Sequence, residues 1–254
     1  MRLGRTLLVI TAAALLTVFV PTAAWADPPP ALSFSAEPGD ERYMPAFDYD
    51  TNGCYPSVAI GRDGRINDGL NNSGALNGEC RDQSDLDNSN TYSRSRCNNG
   101  WCVYMYNLYF EKDQAVAGVD CCGHRHDIEA VAVWVQNDQP QYVSVSCHGD
   151  YVTHPASEVA FTGSHARIVY HKDGASTHCF RLAGRDEQPE NHYQAWHSPT
   201  LVSWNAWPSD PAGLRDELMS HDFGSASFSI RDSAFADSLN EALPSGISFD
   251  PYGV

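Results

Sequence analysis

Residues 123–135 constrain the fold of this chain more than any other stretch. They open as Gly123-His124-Arg125-His126-Asp127-Ile128-Glu129 and run into Ala130-Val131-Ala132-Val133-Trp134-Val135. Two imidazoles, two carboxylates and a guanidinium thus stand at the mouth of an apolar run. Val131, Val133 and Val135 favour a strand over a helix. In a strand, Asp127, Glu129, Val131, Val133 and Val135 share one face, with Ile128 on the other. That face is charged at one end and apolar beyond, so it predicts a cavity at the edge of a core. His124 lies just before, in a Gly-led turn that can fold back towards the carboxylates. Charges so placed cost desolvation energy unless they are paired or hold a metal.

Both outcomes fit the spacing. One is a buried ion-pair network of Arg125 with Asp127 or Glu129. The other is a cation site, and oxygen-rich ligation with at most one imidazole favours Mg2+ or Ca2+ over zinc. There is no His-Glu-Xaa-Xaa-His pattern and no Gly-Xaa-Ser-Xaa-Gly elbow, which argues against the zinc-protease and serine-hydrolase arrangements.

The start of the chain sets the compartment. Arg2 and Arg5, the apolar segment Thr6 to Val20, and Ala24-Trp25-Ala26 read as a secretory signal over residues 1–26. A secreted protein beginning near Asp27 is expected, and no later run has the length of a membrane span. The 254 residues carry 16 Lys+Arg against 32 Asp+Glu, a net charge of -16. Without Arg2 and Arg5 it is about -18. Such a balance argues against nucleic acid and against non-specific adhesion to anionic lipid.

All eight cysteines, Cys54, Cys80, Cys97, Cys102, Cys121, Cys122, Cys147 and Cys179, follow the signal. An even count in an exported chain suggests disulfides. We expect Cys54 with Cys80 and Cys147 with Cys179, which leaves Cys97 and Cys102 to meet Cys121 and Cys122.

Residues 27–45 are Pro-rich and polar at first and read as a flexible leader, ahead of one domain over 46–254. Gly61 to Asn99 is rich in Gly, Asn, Asp and Ser and reads as loops between short extended pieces. Trp101 to Phe110, crowded with aromatics, is a strand, and 127–136, 141–147, 166–171 and 177–183 follow it as strand candidates. Ala212–His221 and Ser233–Leu243 are short helices. The spacing predicts a mainly β fold, an antiparallel β-sandwich with peripheral helices. His148, His154, His165, His197 and His221 stand in polar loops and are expected to be solvated. Trp196, Trp204 and Trp207 are expected to be core or cover residues.

Tyr104-Met105-Tyr106-Asn107-Leu108-Tyr109-Phe110-Glu111-Lys112-Asp113-Gln114, followed by the 123–129 heptapeptide, resembles the necrosis- and ethylene-inducing peptide-like proteins, the necrosis-inducing Phytophthora protein family. Their signature reads GHRHDWE, preceded by a segment ending Tyr-Phe-Pro-Lys-Asp. Gly53-Cys54-Tyr55-Pro56-Ser57-Val58 with Gly78-Glu79-Cys80, Tyr170-His171-Lys172-Asp173-Gly174, Ser176-Thr177-His178 and Pro189-Glu190-Asn191-His192 also follow the pattern, so the likeness spans roughly residues 45–245.

The resemblance implies a secreted β-sandwich similar to actinoporins and fungal lectins, with a divalent cation, Mg2+ or Ca2+, in a negatively charged cavity at one end. It implies a cytolysin that recognises sphingolipid sugar head groups of target plasma membranes and causes necrosis, and acts as a monomer rather than an enzyme. Carried over residue by residue, Asp113 and Asp127 are the cation-site carboxylates, His124 and Glu129 complete the site, and His178 is a ligand-binding histidine. Two departures stand out. Ile128 replaces the signature Trp, as a packing substitution on the face away from the carboxylates. Val119-Asp120-Cys121-Cys122 lengthens the loop before His124, and Glu111 stands where the family has Pro. The longer loop could move Asp113, with Asp120 as its substitute. Two alternatives share the residues: a non-lytic lectin-like glycan-binding module, and a secreted metal-dependent hydrolase with Glu129 as general base.

Overall fold

A continuous apolar run such as 130–135 suits a strand buried on both faces, and that is its position in the computed structural model, which describes residues 27–119, 121–209 and 211–253. The expected signal, residues 1–26, and Asp120 lie outside the described residues. Strand β4 (Gly123–Gln136) sits inside a six-stranded sheet. The other members are β2 (Asn90–Asn98), β3 (Trp101–Gln114), β5 (Gln139–Cys147), β6 (Asp150–Pro155) and β10 (Thr200–Ser203). Their spatial order is β10-β2-β3-β4-β5-β6. A four-stranded sheet stacks against it, built on β8 (His165–Lys172), which pairs with β1 (Ala46–Tyr49), β7 (Phe161–Thr162) and β9 (His178–Leu182).

Two clusters hold the layers together. Val131, Val133 and Val135 point into the first, between the sheets, with Phe47, Tyr106, Phe110, Ile168 and Phe180. Ala132 and Trp134 point into the second, beneath the C-terminal helices α3 (Leu214–Ser220) and α4 (Phe235–Ala242), with Leu218, Phe235 and Leu239. Ile128 packs on this second cluster, on the face opposite Asp127 and Glu129, as strand parity requires. Trp204 and Trp207 cover the same cluster, Trp207 stacking on Tyr92 at 5.6 Å.

The β2–β6 run is an antiparallel meander, closed by two-residue turns at Asn99-Gly100, Asn137-Asp138 and His148-Gly149. Each of these six residues has positive φ, the backbone that matches strand twist in tight hairpins. Four features depart from the sequence reading. β2 lies within the stretch read as loops. Its polar side chains hide it, and its burial comes from pairing between β10 and β3. β10–β2 and β1–β8 are parallel pairs joining segments more than a hundred residues apart.

Residues 27–45 are not a flexible leader. Leu32 is buried, Ser35 bridges Val202, and helix α1 (Pro38–Tyr43) seats Tyr43 and Met44 in the first cluster. The apolar residues behind the Pro-rich opening supply that anchorage. Finally, Cys54–Cys80 and Cys147–Cys179 form as expected, but Cys97 pairs with Cys102, not with Cys121 or Cys122. The two residues face each other across the β2–β3 hairpin with Cα atoms 4.1 Å apart. Cys121 and Cys122 are exposed free thiols in the loop before β4.

Candidate metal centre

The end of β3 and the start of β4 meet at one end of the sandwich, where Asp113 pairs with His124 across the ladder. β4 begins four residues earlier than expected, so His124 lies in the strand rather than in a turn. Regular alternation would place His124 on the face away from Asp127. His126 prevents this by adopting a left-handed φ of 60°, which resets the alternation. Gly123 allows the close approach: a Cβ there would lie 2.3 Å from the Asp113 carbonyl oxygen.

Asp113, His124 and Asp127 converge, with ligand atoms all within 4.8 Å of one another. Two oxygens on opposite sides of Ca2+ stand about 5 Å apart at ordinary coordination distances, so this set has the size and chemistry for a hard cation. The His124 Nδ1–H donates to the His126 carbonyl at 2.7 Å, which leaves Nε2 as the free donor atom. The lengthened loop does not displace Asp113. Beyond the end of the ladder the Ala115 N–H donates to the Cys122 carbonyl at 2.8 Å.

Each carboxylate is held differently. Both Asp113 oxygens accept from the His178 backbone N–H, at 3.0 and 2.8 Å, and Oδ1 also accepts from the His178 ring at 2.7 Å. The Tyr170 hydroxyl donates to Asp127 at 2.8 Å. Phe110, Tyr170 and His178 form an aromatic column, with ring centroids 3.8 and 5.1 Å apart, which fixes both donors. His178 is therefore 2% exposed and orients Asp113. Glu129 lies further along the same face, accepting from the Ser146 hydroxyl, outside the three-residue cluster.

Arg125 does not neutralise this site. Its guanidinium turns to the Asp68 carbonyl and the Asn71 side chain. Among the described residues, no Lys or Arg forms an ion pair with Asp113, Asp127 or Glu129; the His178–Asp113 contact is their only one. The ion-pair network that the sequence also allowed is thus not formed. Burial, reinforced by the Asp113 charge, pushes Asp127 up to about 7. Burial, reinforced by Asp127, holds Glu129 well above the usual carboxylate range. Carboxyls in this condition are stabilised by a cation, whose charge offsets both causes.

The cluster opens into a cavity of about 420 Å3. His148, Tyr151, Thr177, Ser227, Ser229 and Glu241 line its wall, and residues of the C-terminal segment among them gave no signal in the sequence reading. Their placement follows from tertiary packing of that segment over β4. His197, expected to be solvated, is instead half-buried, 3.1 Å from the Tyr49 hydroxyl, and burial holds its pKa near 4.

A two-sheet fold with a buried acidic cluster at one end defines a class that comparison makes specific. The model of the necrosis inducing protein (NPP1) family matches residues 37–242, and the chain belongs to that family. It is 33% identical over 198 residues to NLP effector protein 10 of Phytophthora capsici, covering 76% of this chain and 77% of that one. It is 29% identical to the necrosis-inducing protein NPP1 of Phytophthora nicotianae, with the same coverage. Among solved structures it is similar to necrosis and ethylene inducing protein 2 from the agent of cocoa's witches' broom disease, with a TM-score of 0.72, 27% identity, and 86% and 96% of the two chains covered. It is also similar to NLPPya in complex with mannosamine, with a TM-score of 0.69, 29% identity, and 86% and 97% covered. The two Phytophthora relatives are named as an effector and as a necrosis-inducing protein.

Proposed function

We propose that this chain is a secreted, cation-dependent cytolysin that binds sphingolipid sugar head groups of target plasma membranes and induces necrosis. Asp113, His124 and Asp127 hold a divalent cation, Mg2+ or Ca2+, and Glu129 supports it through water. The observation that carries the reading is a converging, buried acidic cluster with no Lys or Arg counter-charge among the described residues, open to a hydroxyl-lined cavity. When bound, the cation would supply a positive centre for hydroxyl oxygens of a sugar. The chain's own residues then do the rest: His178 and Tyr170 orient the carboxylates, and the serines and Thr177 of the wall offer hydrogen bonds to the sugar. The NLPPya complexes with mannosamine and glucosamine support an amino-sugar head group as ligand.

Dye release from vesicles with and without glycosylinositol phosphorylceramide tests this. Release is expected only with the sphingolipid and only with Mg2+ or Ca2+ present. Release by Asp127→Asn equal to that of the parent would sink the cation mechanism. Calcium-dependent retention on those vesicles without release would favour the non-lytic lectin-like reading instead.

A further inference from the structure

A second cavity, of about 300 Å3, lies beside the same two strands and shares no lining residue with the first. Glu111 faces it and is only 3% exposed. No Lys, Arg or His forms an ion pair with Glu111 among the described residues. The two arginines of the wall are committed elsewhere, Arg65 to Asp63 at 2.8 Å and Arg125 to the Asp68 carbonyl and Asn71. Asn67 beside it is a neutral hydrogen-bond partner for the Glu111 carboxyl and also donates to the Val58 carbonyl at 3.0 Å and the Ser57 hydroxyl at 3.3 Å. A buried carboxylate without a counter-charge is costly.

Asp27 lines the same cavity. Two residues on, the chain is pinned: the Asn88 amide donates to the Pro29 carbonyl at 3.0 Å, the Arg62 N–H to the Pro30 carbonyl at 3.0 Å, and the Ala31 N–H to Asn88 at 2.8 Å. Asp27 and Glu111 thus line one cavity, with the chain held in place from Pro29 onward. In the precursor the backbone nitrogen of Asp27 is a neutral amide. Hydrolysis of the Ala26–Asp27 bond by a signal-processing peptidase consumes one water, leaves a carboxylate on Ala26 and creates an α-ammonium on Asp27, which is charged at neutral pH. We infer that this new α-ammonium ion-pairs with Glu111, so that removal of the signal fastens the mature N-terminus onto β3, two residues before Asp113. The inference rests on the export reading above.

Four proteins test the pairing: chains starting at Asp27 or extended by Ala26, each with Glu111 or with Glu111→Gln. With Glu111, the extension is expected to lower Tm by about 4 °C, and with Gln by less than about 1 °C. Nα-acetylation, which removes the charge with little added bulk, is expected to reproduce the difference. Equal losses in both backgrounds would overturn the pairing. Mass spectrometry of the exported protein separates the two readings. A secreted chain starting elsewhere than Asp27 overturns the inference while leaving export intact, and no export at all defeats the reading beneath it.

Discussion

At the scale of single residues, the site depends on backbone as much as on side chains. Gly123 and the left-handed His126 bring His124 round to Asp127. Gly123→Ala forces a Cβ against the Asp113 carbonyl, and we expect a loss of about 1–3 kcal/mol in urea unfolding, as for other overpacked sites. Cation affinity should fall with it in calorimetric titration. Asp127→Asn removes a ligand and should weaken Mg2+ or Ca2+ binding more than about 100-fold, since even supporting residues commonly contribute 10–100-fold. His178→Ala, which removes the ring bond to Asp113 but keeps the backbone N–H bonds, should fall in that smaller range and leave the far-ultraviolet circular dichroism unchanged. Unchanged calcium affinity in Asp127→Asn would remove Asp127 from the site. The carboxylates were readable from the sequence because strand parity placed Asp127 and Glu129 together. The position of His124 was not, because it depends on one φ angle that breaks parity.

At the scale of elements, the disulfides divide by what they join. Cys97–Cys102 closes a hairpin, with a sequence separation of 5, whereas Cys147–Cys179 ties β5 of one sheet to β9 of the other, with a separation of 32. Chain-entropy arguments give about 2 kcal/mol for the first and about 4 kcal/mol for the second. Replacing each pair by serines should therefore lower stability more at Cys147–Cys179, as measured by denaturant unfolding under oxidising conditions. Equal losses would show that the hairpin bond does more than shorten the unfolded chain. The hairpin pairing had a local signal, because Asn99-Gly100 between Cys97 and Cys102 is a strong two-residue turn sequence. The free pair Cys121 and Cys122 had none.

At the scale of the whole molecule, burial sets how stability depends on pH. His197 has a folded pKa of about 4 against 6.5 when exposed. Below pH 6.5 the unfolded chain takes up a proton that the folded one refuses, so this contribution is complete above 6.5 and is lost as pH falls towards 4. Asp127, raised to about 7, acts with the opposite sign, because the folded state holds its proton between about 4 and 7. His197→Gln should therefore lose less Tm than the parent between pH 7 and pH 5. An identical fall in both proteins would show that His197 titrates normally.

The sequence by itself determined the class of fold, its central strands and the acidic end of β4. Those properties are written in alternation, β-branching and charge, which act within a few residues. Tertiary structure alone decided that β2 and β10 pair in parallel, that His124 comes round to Asp127, that Arg125 turns away from the carboxylates, and that the C-terminal serines complete the cavity wall. The physical reason is the same each time. These features depend on partners distant in the chain, or on one backbone angle, and neither leaves a periodic mark in the sequence.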